Sequence, residues 1–379
     1  TRSEIYAERI TTIEQKYPKA GTPNVLLELY VQNIQTQQRQ AINLGTEQDI
    51  YLPRVQWSNT SALLTYQVQS RNQQTLQLFG YDVATQLSTT LLTEHSSTWL
   101  NLHDDLHFLR QQDAFIWASE RDGFKHLYLY RTNGELLRQL TSGDWVVTSI
   151  AAIDENTGSI YINGRKDTPL ESHVYAVDMQ TSSVQRITEL GKHHDVKFAK
   201  DASIYVDVFS DINTPAQTGL YFANGQFITW LDENKVSANH PLAPYASEWI
   251  APEFGTIAAP DNTQLHYRLY KPASISGKHP VIVYHYGGPR AQVVTNKWGG
   301  NRGLMFQYWA QQGYVVFSID NRGSYYRGKA FEDPIYKAMG SIEIEDQKLG
   351  VDYLRTLDFV DPAKIGVYGH SYGGYMSLM

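Results

Sequence analysis

Cysteine is absent from all 379 residues. That excludes a disulfide framework, a thiol nucleophile and a cysteine-ligated zinc, and it leaves the compartment open. Long apolar runs are missing too: nowhere is there the stretch of about eighteen apolar residues that a membrane-spanning helix needs. Basic clusters never exceed two or three residues and the net charge is −7, so nothing points to nucleic acid. What is present is ordinary for a folded protein, with 42% apolar and 19% charged residues. The length suits two or three domains and a sizeable core.

Convincing helices are also scarce over the first 240 or so residues, where short strands dominate. A small apolar doublet recurs there as Leu27-x-Leu29, Leu76-x-Leu78, Leu127-x-Leu129, Val174-x-Ala176 and Leu220-x-Phe222, at intervals of 46–51 residues. The later doublets are each followed by a turn and a second strand. Asn133-Gly134 and Asn224-Gly225 suit type I′ hairpins, and Asp178 to Ser183 is a longer polar turn. Repeats of this length with several short strands are the mark of propeller blades, and five doublets imply about five blades. An irregular β-sandwich is the alternative.

The grammar changes after Lys235–Ile250, a segment with two prolines and no periodicity, where the domain junction is expected. Strands are predicted at Thr263–Tyr270, Val281–Tyr284, Tyr314–Ile319 and Ile365–Tyr368, with helices over Gly303–Gln312 and Ile342–Leu357. The last strand runs into Gly369-His370-Ser371-Tyr372-Gly373, a Gly-x-Ser-x-Gly followed by a helix start. Between a strand and a helix that pattern is the nucleophile elbow of an α/β-hydrolase. It would expose the Ser371 hydroxyl and aim the Tyr372 N–H at an acyl oxyanion. The second oxyanion donor is expected on the loop after strand 281–284, where Tyr286-Gly287-Gly288-Pro289 offers the Tyr286 phenol. His285, one residue earlier, should face the opposite side, either in the core or supporting the site from behind.

These stretches carry a resemblance. Tyr17-Pro18-Lys19-Ala20-Gly21, Ser119 to Tyr128, Tyr286 to Pro289, Asp320-Asn321-Arg322-Gly323-Ser324, Glu343 to Gln347 and the elbow resemble, in order, the dipeptidyl peptidase IV branch of the prolyl oligopeptidase family. The resemblance implies a partial β-propeller over residues 1–245, followed by the N-terminal part of an α/β-hydrolase domain over 246–379. It implies a serine exopeptidase with Ser371 as the acylated nucleophile and Tyr286 and Tyr372 as the oxyanion hole. Its substrates would be peptides with a free N-terminus, cut after proline or alanine at the second position. No metal and no organic cofactor is implied.

The chain starts at Thr1 and stops eight residues after Ser371, so it is read as a fragment. The family's catalytic Asp and His, and its amine-binding glutamates, have no counterpart within it. Tripeptidyl peptidases or oligopeptidases of the same superfamily, or a non-catalytic scaffold, remain alternatives. A homodimer is compatible with the resemblance, and a periplasmic or extracellular location is favoured.

Other residues have plainer readings. His103, His107, His193 and His194 are expected to be loop residues rather than metal ligands. Asn59-Thr60-Ser61 is a sequon by pattern alone. Arg322 is expected in a structural ion pair, with Asp320 the nearby acid. Glu343, Glu345 and Asp346 are assigned to the macrodipole at a helix N-terminus.

Overall fold

The computed structural model describes residues 2–14, 19 and 21–379; Tyr17, Pro18 and Ala20 of the first matching stretch lie outside them. The chain divides into two compact units, residues 1–102 and 103–379. In the first unit, Leu63–Ser70, Thr75–Asp82 and Leu87–His95 form an antiparallel meander, and Ile50–Tyr51 and Val55–Trp57 both pair with its first strand. The hairpins Arg2–Ile5/Ile10–Ile13 and Leu29–Gln32/Arg39–Ile42 complete it. Leu29 opens a strand and Leu27 precedes it, so the first doublet is only half in a strand.

The second unit opens with three successive four-stranded antiparallel sheets, spanning 106–139, 147–186 and 193–232. The doublets from Leu127, Val174 and Leu220 all fall on the third strand of a sheet. Side chains alternate across a strand, and the burial follows that alternation. Ile160, Ile162, Tyr175 and Val177 of the second sheet pack with Ile116, Leu127 and Leu129 of the first. Their neighbours Tyr161, Val174 and Ala176 pack instead with Val196 and Phe198 of the third. The doublets from Leu127 and Val174 therefore face the following sheet, which explains their apolar character.

A repeat escaped the sequence reading. His126 and His173 immediately precede two of the doublets, and each Nδ1 meets a threonine 15 residues on, Thr141 at 3.0 Å and Thr188 at 3.2 Å. The same hydroxyls accept the N–H of Leu127 and Val174 at 3.0 Å. The hairpins differ from expectation as well. Gly134 and Gly225 have φ of 92° and 90°, but neither preceding asparagine has positive φ. A type I′ turn needs both residues left-handed. These are three-residue loops, in which Gly134 N–H closes on the Arg131 carbonyl and Gly225 N–H on that of Phe222, both at 2.9 Å.

The expected junction near residue 245 is a 3-10 turn, Ala243–Glu248. Beyond it a five-stranded sheet takes the order Glu253–Ala258, Gln264–Tyr270, Val315–Ile319, His279–His285, Val360–Gly369. The first three strands are antiparallel neighbours and the last three parallel ones. Helices α1 (Gly300–Gln311), α2 (Lys329–Glu332), α3 (Ile342–Arg355) and α4 (Tyr372–Leu378) accompany it. Val281, Val283, Val315, Phe317 and Ile319 form its buried centre with Leu354 of α3. This is the start of a hydrolase-type α/β domain. The strand Glu253–Ala258 and the short α2 were not foreseen, because neither carries a full period.

Candidate active site

Three parallel strands end at one edge of this sheet, and the residues after them meet there. That edge is where open α/β sheets gather ligands. Ser371 lies between the strand Val360–Gly369 and α4, with φ 58° and ψ −119°. Such a conformation costs a side-chain-bearing residue about 1–3 kcal/mol and persists only where the surroundings enforce it. Here they do. A Cβ on Gly369 would run into the Gly373 carbonyl, and one on Gly373 into the His285 carbonyl of the neighbouring strand. Ser371 is exposed, and Tyr372 is the first residue of α4, so its N–H has no intrahelical acceptor.

The glycine constraint makes a direct prediction. Gly373→Ala should destabilise the protein by about 3 kcal/mol, the upper end for overpacking, because the obstacle is backbone. Gly366→Ala, whose added methyl finds its nearest neighbour at 3.8 Å, should be tolerated. Thermal denaturation of both variants checks this; equal melting temperatures would refute the account.

Tyr286 reaches the elbow through register. His285 pairs with Gly369 across the parallel ladder, so the next residue emerges beside the turn. The half-buried Tyr286 ring stands 6.1 Å from that of Tyr372. Gly287, at φ 75°, turns the chain, and Gly288 lies so close to the Tyr372 ring that a Cβ would be 2.5 Å from its Cγ. His285 is buried as expected, its Nε2 3.0 Å from the Ser377 hydroxyl, and burial lowers its pKa.

A buried polar network behind the site was not legible beforehand. Asn321 donates to the Gly287 carbonyl at 2.9 Å, and Gln347 of α3 donates to Asn321 at 2.9 Å. Tyr372 O–H donates to Glu343 at 2.7 Å, and that carboxylate also accepts the Gly340 N–H at 2.6 Å. Burial, then the Glu343 hydrogen bond, raises the Tyr372 phenol's pKa. Glu343 lies in the first turn of α3 as expected, but the macrodipole reading is incomplete, since Glu343 and Asp346 are fully buried and each grips a named partner.

Asp346 grips Arg322. The guanidinium reaches it through Nε at 3.0 Å and Nη2 at 2.6 Å, and the Arg322 N–H donates to it at 2.8 Å. Nη1 meets Asp261 at 2.6 Å. The expected structural ion pair is present, but Asp320 is not the partner. Asp320 instead accepts the N–H groups of Val293 and Val294 at 2.8 and 3.0 Å. Both residues lie beyond the end of the strand Val315–Ile319, where the chain turns, and Asp320 is held by the 293–294 backbone while Arg322 is held by α3. Burial pushes the Asp320 carboxyl up to about 6, against those two donors and the charges of Arg268 and Arg327.

Each of the three four-stranded sheets sends a loop to this edge. Gly123 accepts the Lys329 N–H at 2.7 Å, and Leu170 accepts the Asn296 N–H at 2.9 Å. Asn296 also donates to Glu171 at 2.8 Å and accepts from the Ile212 N–H at 3.1 Å. The histidines set apart from the sequence lie elsewhere. His103 stands edge-on to Trp117, and burial drops it to about 4. His194 pairs with Asp207 at 2.7 Å. His193 and His194 sit in a strand rather than a loop, as does His107. Among the described residues no three acidic or histidine side chains gather as a metal site. His370 and Asn59 are exposed.

Comparison with known proteins gives two matches within the chain. Residues 1–216 match the family model of the dipeptidyl peptidase IV (DPP IV) N-terminal region, and residues 301–379 match that of the prolyl oligopeptidase family. Dipeptidyl peptidase 8 of Homo sapiens is 32% identical over 327 residues, covering 76% of this chain and 36% of that protein. The crystal structure of Porphyromonas gingivalis dipeptidyl peptidase 4 superposes with a TM-score of 0.91 at 26% identity, covering 100% of this chain and 54% of that one. The chain thus spans about a third to a half of the length of these relatives. With the first model alone matching 216 of the 379 residues, the chain belongs to the dipeptidyl peptidase IV branch of the prolyl oligopeptidase family.

Proposed function

We propose that the protein is a serine exopeptidase that releases X-Pro or X-Ala dipeptides from the N-terminus of peptides. The observation that carries this reading is the strained, exposed Ser371 at a strand-to-helix turn, with Tyr286 emerging beside it. The Ser371 hydroxyl attacks the scissile carbonyl and its proton passes to a histidine base. Tyr286 O–H and Tyr372 N–H donate to the oxyanion of the tetrahedral intermediate. The shortened peptide leaves as an amine, and water then hydrolyses the dipeptidyl ester. Neither metal nor organic cofactor takes part in this sequence.

The relatives' names, dipeptidyl peptidase 8 and dipeptidyl peptidase 4, support the dipeptide product. We further read residues 1–245 as propeller blades and 246–379 as the first part of a hydrolase domain. Support comes from the face-to-face packing of consecutive sheets and from their loops converging on the candidate site.

The test is hydrolysis of a Gly-Pro chromogenic amide by the full-length protein, beside the N-acetylated amide. Cleavage confined to the free amine is expected. Equal cleavage of the blocked amide would move the assignment to an oligopeptidase, and turnover of neither would leave a scaffold.

A further inference from the structure

A second constellation, apart from Ser371, has an unbalanced charge. A cavity of about 130 Å³ lies between the N-terminus of α1 and the strand Gln264–Tyr270. Three of its lining residues are cations, Arg268, Lys297 and Arg302, and none is acidic. Arg268 and Tyr284 form its buried floor, while Lys297 and Arg302 are exposed at its mouth.

None of these cations is spoken for. Arg268 is 6% exposed, its Nε has no hydrogen-bond partner, and its guanidinium lies 5.5–5.7 Å from the rings of Phe306 and Tyr270. Arg302 stands over the Tyr284 ring at 5.0 Å. Among the described residues no carboxylate lies within 4.0 Å of Arg268, Lys297 or Arg302. Asp320 is the acid whose field reaches Arg268, but its oxygens are engaged by Val293 and Val294. A buried guanidinium without a counter-charge is costly, and an oxyanion is the partner its planar fork fits.

The helix end adds to this independently. α1 begins at Gly299 without a side-chain cap and without an acidic residue in its first turn. Gly299 and Gly303 line the cavity, so the N-terminal end of α1, the positive end of its dipole, borders the same space; the Gly303 N–H is itself taken by the Gly299 carbonyl at 3.1 Å. Glycine there leaves the backbone open to close approach.

We propose that this cavity binds a phosphate-sized oxyanion, with Arg268 beneath it, Lys297 and Arg302 at its mouth and the α1 N-terminus alongside. The chemistry is that of a phosphate or sulfate group, free or esterified. Occupancy would tie α1 to the 292–299 segment, whose Asn296 and Trp298 bond to the loops and strand ends of two four-stranded sheets.

Calorimetric titration of the full-length protein with inorganic phosphate tests this, in phosphate-free buffer at ionic strength held constant with chloride. Saturable binding of one anion per chain is expected, weakened at least tenfold in Arg302→Gln and lost in Arg268→Gln. Because Arg268→Gln could disturb folding, the exposed Arg302→Gln and Lys297→Met variants carry the decision. Affinity unchanged in both, or no saturation in the parent protein, would overturn the site. Phosphoserine in the same titration separates the sources: binding as tight as phosphate supports an esterified group, and exclusion supports the free ion. No hydrolysis is read, so this result stands or falls apart from the peptidase proposal.

Discussion

Ser371→Ala is expected to lower kcat/KM on a dipeptidyl amide by at least about 10⁴-fold, the scale on which serine nucleophiles act with their partners. The backbone should not change, because the φ of 58° at this position is imposed by the contacts of Gly369 and Gly373 rather than by the hydroxyl. A melting temperature equal to that of the parent would therefore accompany the loss. Tyr286→Phe supplies the complementary case. It keeps the ring that neighbours Tyr372 and removes only the donor. Loss of one oxyanion donor costs about 10²–10³ in kcat, and because the bond strengthens in the transition state KM should move little. Steady-state kinetics of the three proteins on a Gly-Pro amide decide the matter. If the alanine variant kept more than roughly one hundredth of the activity, the nucleophile would lie elsewhere.

A loss of stability as large as that of Gly373→Ala is expected from Asp346→Ala. The Asp346 carboxylate is fully buried and receives three donors from Arg322, one of them its backbone N–H. Removing one partner of a buried pair strands the other, at a cost of about 3–5 kcal/mol. Asp261 stays on the guanidinium, so the lower end of that range applies. Asp261→Asn should cost far less, since that carboxylate is 52% exposed and water already solvates it. Activity should fall as well in Asp346→Ala. Arg322 adjoins Asn321, which holds the Gly287 carbonyl in the turn after Tyr286. Thermal melts and kcat measured on the same preparations check both parts. A melting temperature within a degree of the parent would show that Arg322 finds its counter-charge elsewhere.

Local pattern sufficed for a good part of this protein. The apolar runs at 281–284, 314–319 and 365–368 gave the three parallel strands. In the first two, uninterrupted β-branched and aromatic residues are stable because both sheet faces are covered, while the third runs along the sheet edge with Val367 and Tyr368 exposed. The Gly-x-Ser-x-Gly did form a strained turn, since any side chain at its glycines collides with backbone. The doublets from Leu127, Val174 and Leu220 marked the third strand of successive sheets, and in the first two that strand packs on the next sheet.

Polar partnerships were decided by the fold alone. Whether Arg322 meets Asp320 or Asp346, 24 residues away, depends on how α3 crosses the sheet, and no spacing in the chain encodes that crossing. Glu343 and Asp346 looked like surface acids at a helix start until packing buried them against Tyr372 and Arg322. The same holds for Arg268, an ordinary strand residue by pattern. Only the tertiary arrangement sets it beneath the N-terminus of α1, with no carboxylate among the described residues within ion-pair distance. Hydrophobic periodicity is a property of neighbours along the chain and can be read there. Electrostatic pairing is a property of neighbours in space, where burial turns a weak surface charge into a strong and selective one.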